Sequence, residues 1–137
     1  MNKQQVRTIQ AMTSYPSISI LLPTHRGIPD NRQDPIRLKN LIAQATTRLT
    51  EEFPLHEIAP LIDKLNRFCA TINFHKTLEG MVIYVSATFE AVYLLPITIR
   101  ERVVIDTTFA IRDLVYALNR IPRYWVLVLS EKIARLY

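Results

Sequence analysis

Three histidines, one cysteine and an arginine-bearing loop are the parts of this chain with chemistry open to them. His25, His56 and His75 are too widely spaced for a recognisable metal motif, and Cys69 has no second cysteine for a Cys-x-x-Cys pair or an internal disulfide. No metal and no cofactor is therefore expected. A thiol nucleophile needs a base beside it. Cys69 falls instead on the apolar stripe of a helical pattern, where a cysteine behaves as a small hydrophobe. His25 leaves a strand through Pro23-Thr24-His25-Arg26 and enters the loop that carries the arginines, a place where binding residues collect. Its two readings are a functional group and a loop histidine bonded to nearby backbone. No pair of carboxylates is marked by its surroundings as an acid and a base, so no catalytic residue is assigned and no enzyme activity is expected.

Glycine usage narrows the classes further. The chain has 137 residues and two glycines, Gly27 and Gly80. Phosphate-cradling loops and dinucleotide fingerprints need several glycines within one turn, so neither can be written here. Charge points elsewhere. Seventeen basic and twelve acidic residues give +5. The excess lies in residues 17–50, with five basic and two acidic groups, and in residues 110–137, with the same counts. A cluster formed by His25, Arg26, Arg32, Arg37 and Lys39 suits phosphate, and arginine suits it better than lysine because its fork binds two oxygens. Nucleic-acid affinity of that origin would fall steeply with salt. Tyr124 and Trp125 have strand spacing and read as core rather than as a base-stacking platform.

The elements that must position these groups can be read along the chain. Apolar residues make up 49% and charged residues 21%, which excludes a disordered or low-complexity class. Residues 17–23 read as a strand. A polar loop, 23–35, follows, and a helix then begins at Asp34, read as its N-cap, and Pro35, with Leu38, Leu41, Ile42, Ala45 and Leu49 on its apolar face. A second helix is expected over about 57–73, with Pro60 tolerated in its first turn. Residues 81–86 and 91–96 read as a hairpin and 102–106 as a short strand. Residues 110–119 read as a helix with Ile111, Leu114, Val115 and Leu118 inward. Strands at 124–129 and 133–137 close the pattern as a second hairpin. The order β-α-α-β-β-β-α-β-β predicts an α/β (α+β) domain, a mixed sheet with helices packed on it. Residues 1–16 read as an N-terminal extension. They carry Lys3 and Arg7 without a continuous apolar core, so no secretory signal is expected, and no apolar run reaches membrane-spanning length. A cytoplasmic protein is the expectation, and a single cysteine fits it.

The run Ser17-Ile-Ser-Ile-Leu-Leu-Pro-Thr-His-Arg-Gly, followed by Gln33-Asp-Pro-Ile-Arg-Leu-Lys-Asn-Leu, resembles the N-terminal domain of the bacterial relatives of archaeo-eukaryotic peptide-chain release factors. The likeness continues through Leu78-Glu-Gly-Met-Val-Ile-Tyr-Val-Ser, Tyr93-Leu-Leu-Pro and Arg123-Tyr-Trp-Val-Leu-Val-Leu-Ser, and so spans most of residues 17–137. The resemblance implies a ribosome-associated domain, in some relatives tied to ribosome hibernation. It also implies that residues 17–137 are one domain of a longer multidomain protein. Two departures restrict it. Where release factors carry an Asn-Ile-Lys-Ser tetrapeptide for stop codons, this chain reads Pro35-Ile36-Arg37-Leu38, and the Gly-Gly-Gln loop of peptide release has no counterpart. The expected function is therefore a non-catalytic ribosome- or RNA-docking domain, with ribosomal RNA as partner and neither DNA nor membrane. The alternative is a protein-interaction or scaffold domain with no nucleic-acid role, and a small-molecule enzyme would need a deep pocket around His25.

Overall fold

The structure is a computed structural model that describes residues 3–25, 30–74, 76–112, 114–116 and 127–128. Among these the elements are α1 (Lys3–Ala11), β1 (Ser17–Pro23), a 3₁₀ turn (Asp30–Gln33), α2 (Asp34–Glu52), α3 (Leu55–Ala70), β2 (Gly80–Val85), β3 (Glu90–Leu95), β4 (Arg102–Asp106) and β5 (Leu127–Val128). The strands lie in the order β4-β1-β2-β3-β5. Every pairing among the described strands is antiparallel, so the expected α+β class is present, with an antiparallel sheet in place of the expected mixed one.

Register follows from hydrophobic pattern, because a slip of one residue would turn each strand's apolar set to the wrong face. Ile18, Ile20 and Leu22 lie opposite Val85, Ile83 and Met81, and Ile83 and Met81 lie opposite Val92 and Leu94. This set forms one face and packs against Leu38, Leu41, Ala45 and Leu49 of α2 and Ile58, Leu65 and Phe68 of α3. Leu41, Leu49 and Leu65 are fully buried, each worth roughly 1.5–3 kcal/mol of transfer energy.

The second face carries Leu21, Val82, Tyr84, Tyr93 and Leu95, covered by Val6 and Ile9 of α1 and by Ile99, Phe109 and Leu114. Residues 1–16, read as an extension, therefore include a helix that belongs to the core. Val6, Ile9 and Met12 stand three apart, one apolar stripe along the helix. Their signal is short and set among polar residues. The serines of β1 show the same covering. Alternation in Ser-Ile-Ser-Ile ordinarily places the serines in water, yet Ser17 and Ser19 are buried, and the Ser19 hydroxyl accepts the Ala110 N–H at 2.9 Å. Tyr84, fully buried, donates its hydroxyl to the Ala110 carbonyl at 2.7 Å.

Several local expectations need correction. α3 starts at Leu55, with the Glu57 and Ile58 N–H groups on the Pro54 carbonyl, and ends at Ala70. Pro60 thus falls in the second turn rather than the first. It is exposed, as is His56, whose carbonyl loses its donor, so the missing bond lies on the solvent side. In the segment read as a helix over 110–119, Val115 N–H bonds to the Ile111 carbonyl at 2.9 Å and Leu114 is buried, but Val115 is exposed rather than inward. Residues 117–119, most of 124–129 and all of 133–137 lie outside the described residues; Leu127–Val128 pairs with Tyr93–Leu94 as expected of a strand.

Gly80 opens β2 for a reason of space. A Cβ there would lie 2.5 Å from the Ile97 carbonyl oxygen and 3.2 Å from Ile99 Cγ1, so only glycine admits the Ile97 backbone at this distance. No helix among the described residues is long and apolar enough to cross a membrane.

Candidate RNA-docking site

The site is built where β1 runs out toward α2. Asp34 is not an N-cap. The 3₁₀ turn feeds directly into α2, so Gln33 takes the cap position in a helical conformation and makes no side-chain capping bond. Asp34 becomes the first helical residue, where a carboxylate meets the positive end of the helix dipole. Its side chain is fully buried and turns back to His25. The His25 backbone N–H donates to Asp34 Oδ2 at 2.8 Å, and His25 Nδ1 lies 2.8 Å from Asp34 Oδ1. Burying a carboxylate is costly unless it is hydrogen-bonded, and these two contacts supply that bonding.

A second strand of bonds holds the same segment from the other side. Thr24 N–H donates to the Glu79 carbonyl at 3.0 Å, and the Thr24 hydroxyl donates to the Leu78 carbonyl at 2.7 Å. The Thr77 hydroxyl, itself buried, donates to the His25 carbonyl at 2.8 Å. Asn31 Nδ2 donates to the Phe74 carbonyl at 3.2 Å, tying the 3₁₀ turn to the chain after α3. His25 thus has its N–H, its carbonyl and Nδ1 engaged. The imidazole is 41% exposed, and among the described residues Nε2 has no partner.

The other expected site residues divide. Arg32, in the 3₁₀ turn, and Lys39 are exposed. Arg37 is turned away: its Nη1 lies 3.5 Å from Glu101 Oε1 beside β4, and its Nε is buried without a hydrogen bond. Lys39 sits about 160° around the helix from Arg37, so the two do not share a face. Arg26 lies outside the described residues. The sequence-expected cluster therefore brings His25 and Arg32 to the start of α2 with Lys39 on one flank, and assigns Arg37 to the sheet edge. Asp34, Thr77 and Asn31 complete the site without a sequence signal for that role. Their bonds join positions between nine and fifty-two residues apart, a distance over which no local pattern carries.

The remaining nucleophile is shut away. Cys69 is buried, and burial pushes its thiol up to about 12, so it holds no thiolate near neutral pH. Among the described residues no group of three or more His, Cys, Asp or Glu side chains could hold a metal ion. A shallow groove of about 420 Å³ beside α3 is lined by Lys64, Arg67, Phe68, Thr71 and Glu90. Lys64 Nζ is spent there on the Ser86 carbonyl at 2.7 Å. No protein-family model and no curated protein matches the chain.

Proposed function

We propose that this chain is a non-catalytic domain that docks on the ribosome through ribosomal RNA, as the likeness of its Pro-Thr-His-Arg and Arg-Leu-Lys-Asn-Leu segments to release-factor relatives implies. The observation that carries the reading is the rigid presentation of a polar and cationic segment. Thr24 and His25 are fixed by bonds to Asp34 and to residues 77–79, while the His25 ring, Arg32 and Lys39 remain open to solvent. A preformed cationic surface binds phosphate without first having to order a loop. Arg32 and Lys39 supply phosphate contacts and Arg26 joins them by sequence, while Arg37, paired with Glu101, takes no part. A cytoplasmic location follows from this reading.

Co-sedimentation with ribosomes tests it. Pelleting at low salt that is lost as salt rises, and that weakens when Arg32 and Lys39 are replaced by alanine, is the expected result. Failure to pellet at low salt, or indifference to those replacements, would overturn it. A second reading, protein docking, has one observation in its favour: Tyr15 packs on Phe53 with ring centroids 5.8 Å apart, and the exposed Leu55 follows two residues later. Ribosome pelleting that depends on Leu55 instead of the cations would select it.

A further inference from the structure

His25 stands in the cluster expected to meet phosphate, but its surroundings specify a different contact. The Asp34 carboxylate has only acceptor oxygens, so the Nδ1 facing it at 2.8 Å carries the proton in the neutral imidazole. Nε2 is then the unprotonated nitrogen, and it is the outward one. An outward lone pair repels phosphate oxygen, which at neutral pH offers no donor. It accepts from a hydroxyl or an N–H.

We infer that His25 Nε2 accepts a hydrogen bond from a ribose 2′-hydroxyl and so makes the docking surface selective for RNA over DNA; this rests on the RNA-docking reading above. The choice of donor follows from the neighbours. Arg32 and Lys39, exposed on the same stretch, engage the sugar-phosphate backbone. The donor that recurs along that backbone, next to each phosphate, is the 2′-hydroxyl, whereas base N–H groups lie on the far side of the sugar from the phosphates. The hold on the ring suits selection more than mere attachment. A buried carboxylate and the Thr77 hydroxyl fix His25 at main chain and ring together, leaving one atom free and one direction for it.

Two measurements test the inference. Nitrogen-15 NMR of the neutral imidazole should show the Nδ1–H form at His25; the Nε2–H form would overturn the inference whatever the binding result. Binding is then compared at low salt for a short single-stranded oligoribonucleotide, its 2′-deoxy counterpart and its 2′-O-methyl counterpart. The ribose form should bind about 3- to 10-fold more tightly than the other two, the worth of one net hydrogen bond. His25→Ala should bring that ratio to unity. Asp34→Asn should remove the preference for ribose over 2′-O-methyl by another route. The asparagine can keep the His25 backbone bond only by turning its oxygen to that N–H. Its NH₂ then faces Nδ1 and makes Nε2 the protonated nitrogen, a donor that the oxygens of a 2′-hydroxyl and a 2′-O-methyl group accept alike. If Asp34→Asn does not fold, the His25→Ala ratio decides. Equal affinity of the wild type for all three oligonucleotides would overturn the inference and leave docking through phosphate standing. Binding to none of them would overturn both.

Discussion

Two sets of basic side chains on this domain do different work. Arg48 and Lys64 send their heads to backbone carbonyls, Nη1 of Arg48 to Val103 on β4 at 2.7 Å and Nζ of Lys64 to Ser86 at the end of β2, and Arg37 leans toward Glu101. Among the described residues Arg32 and Lys39 make no such attachment, and both stand exposed toward the start of α2. The first set closes the seams between helices and sheet; the second is available to a ligand. Arg37 and Arg48 are eleven residues apart, three helical turns, and so fall on one flank of α2 that faces β4. Formal charge counts both sets alike. Among the described residues, the basic groups of α2 that are open to a partner are fewer than a count of them suggests, and they are set apart by the side of α2 each one occupies.

The comparison can be broken most severely at Asp34, which joins the site to the fold. Asp34→Ala leaves the His25 N–H and Nδ1 without their acceptor and should cost about 3 kcal/mol in urea unfolding; a loss below about 1 kcal/mol would mean the pair is incidental. Arg48→Met keeps the aliphatic stem and removes the seam bond. It should cost about 1 kcal/mol while leaving ribosome pelleting unchanged. Arg32→Ala with Lys39→Ala should do the reverse. Stability should stay within about 0.5 kcal/mol, while the slope of log affinity against log salt falls by about two, roughly one per lost phosphate contact. If Arg48 and the Arg32–Lys39 pair behave alike in both assays, the division into two sets fails. Leu55→Ser, on the exposed start of α3, should alter neither quantity.

Alkaline titration sharpens the picture from the apolar side. Burial raises the Cys69 thiol from about 9 to about 12 and the Tyr93 hydroxyl from 10 to about 12. Both are neutral in the folded chain at pH values where the unfolded chain ionises them. Their contribution is whole below pH 9 and is lost as pH rises toward 12. Stability should therefore fall over that window, and Cys69→Ala should flatten its lower part. A thiol reagent at pH 8 should leave native Cys69 untouched and label it on unfolding.

Sequence pattern located the elements whose signal is local. β1 and β4 fall at their expected bounds, and the hairpin of β2 and β3 closes through residues 86–89, with the Ser86 N–H on the Phe89 carbonyl. What the pattern lacked was partnership. Nothing in residues 3–11 announces that Val6 and Ile9 cover a sheet, because the surface they cover is assembled from strands that come later in the chain. Asp34 preceding a proline has the form of a helix cap, and only the 3₁₀ turn before it frees its carboxylate for His25. The same holds for the cations. Arg37 and Lys39 look equivalent in the sequence and are separated by the face each one occupies.

The Arg48 contact has a consequence for behaviour at high concentration. Among the described strands β4 is the outermost on its side of the sheet, and an outer strand offers free backbone groups to any other extended chain. A guanidinium seated on the Val103 carbonyl occupies one of those groups with a charged head that a second strand would have to displace and strip of water. The residue that seams helix to sheet is therefore also a guard against edge-to-edge association, and its loss should show first as reduced solubility during refolding.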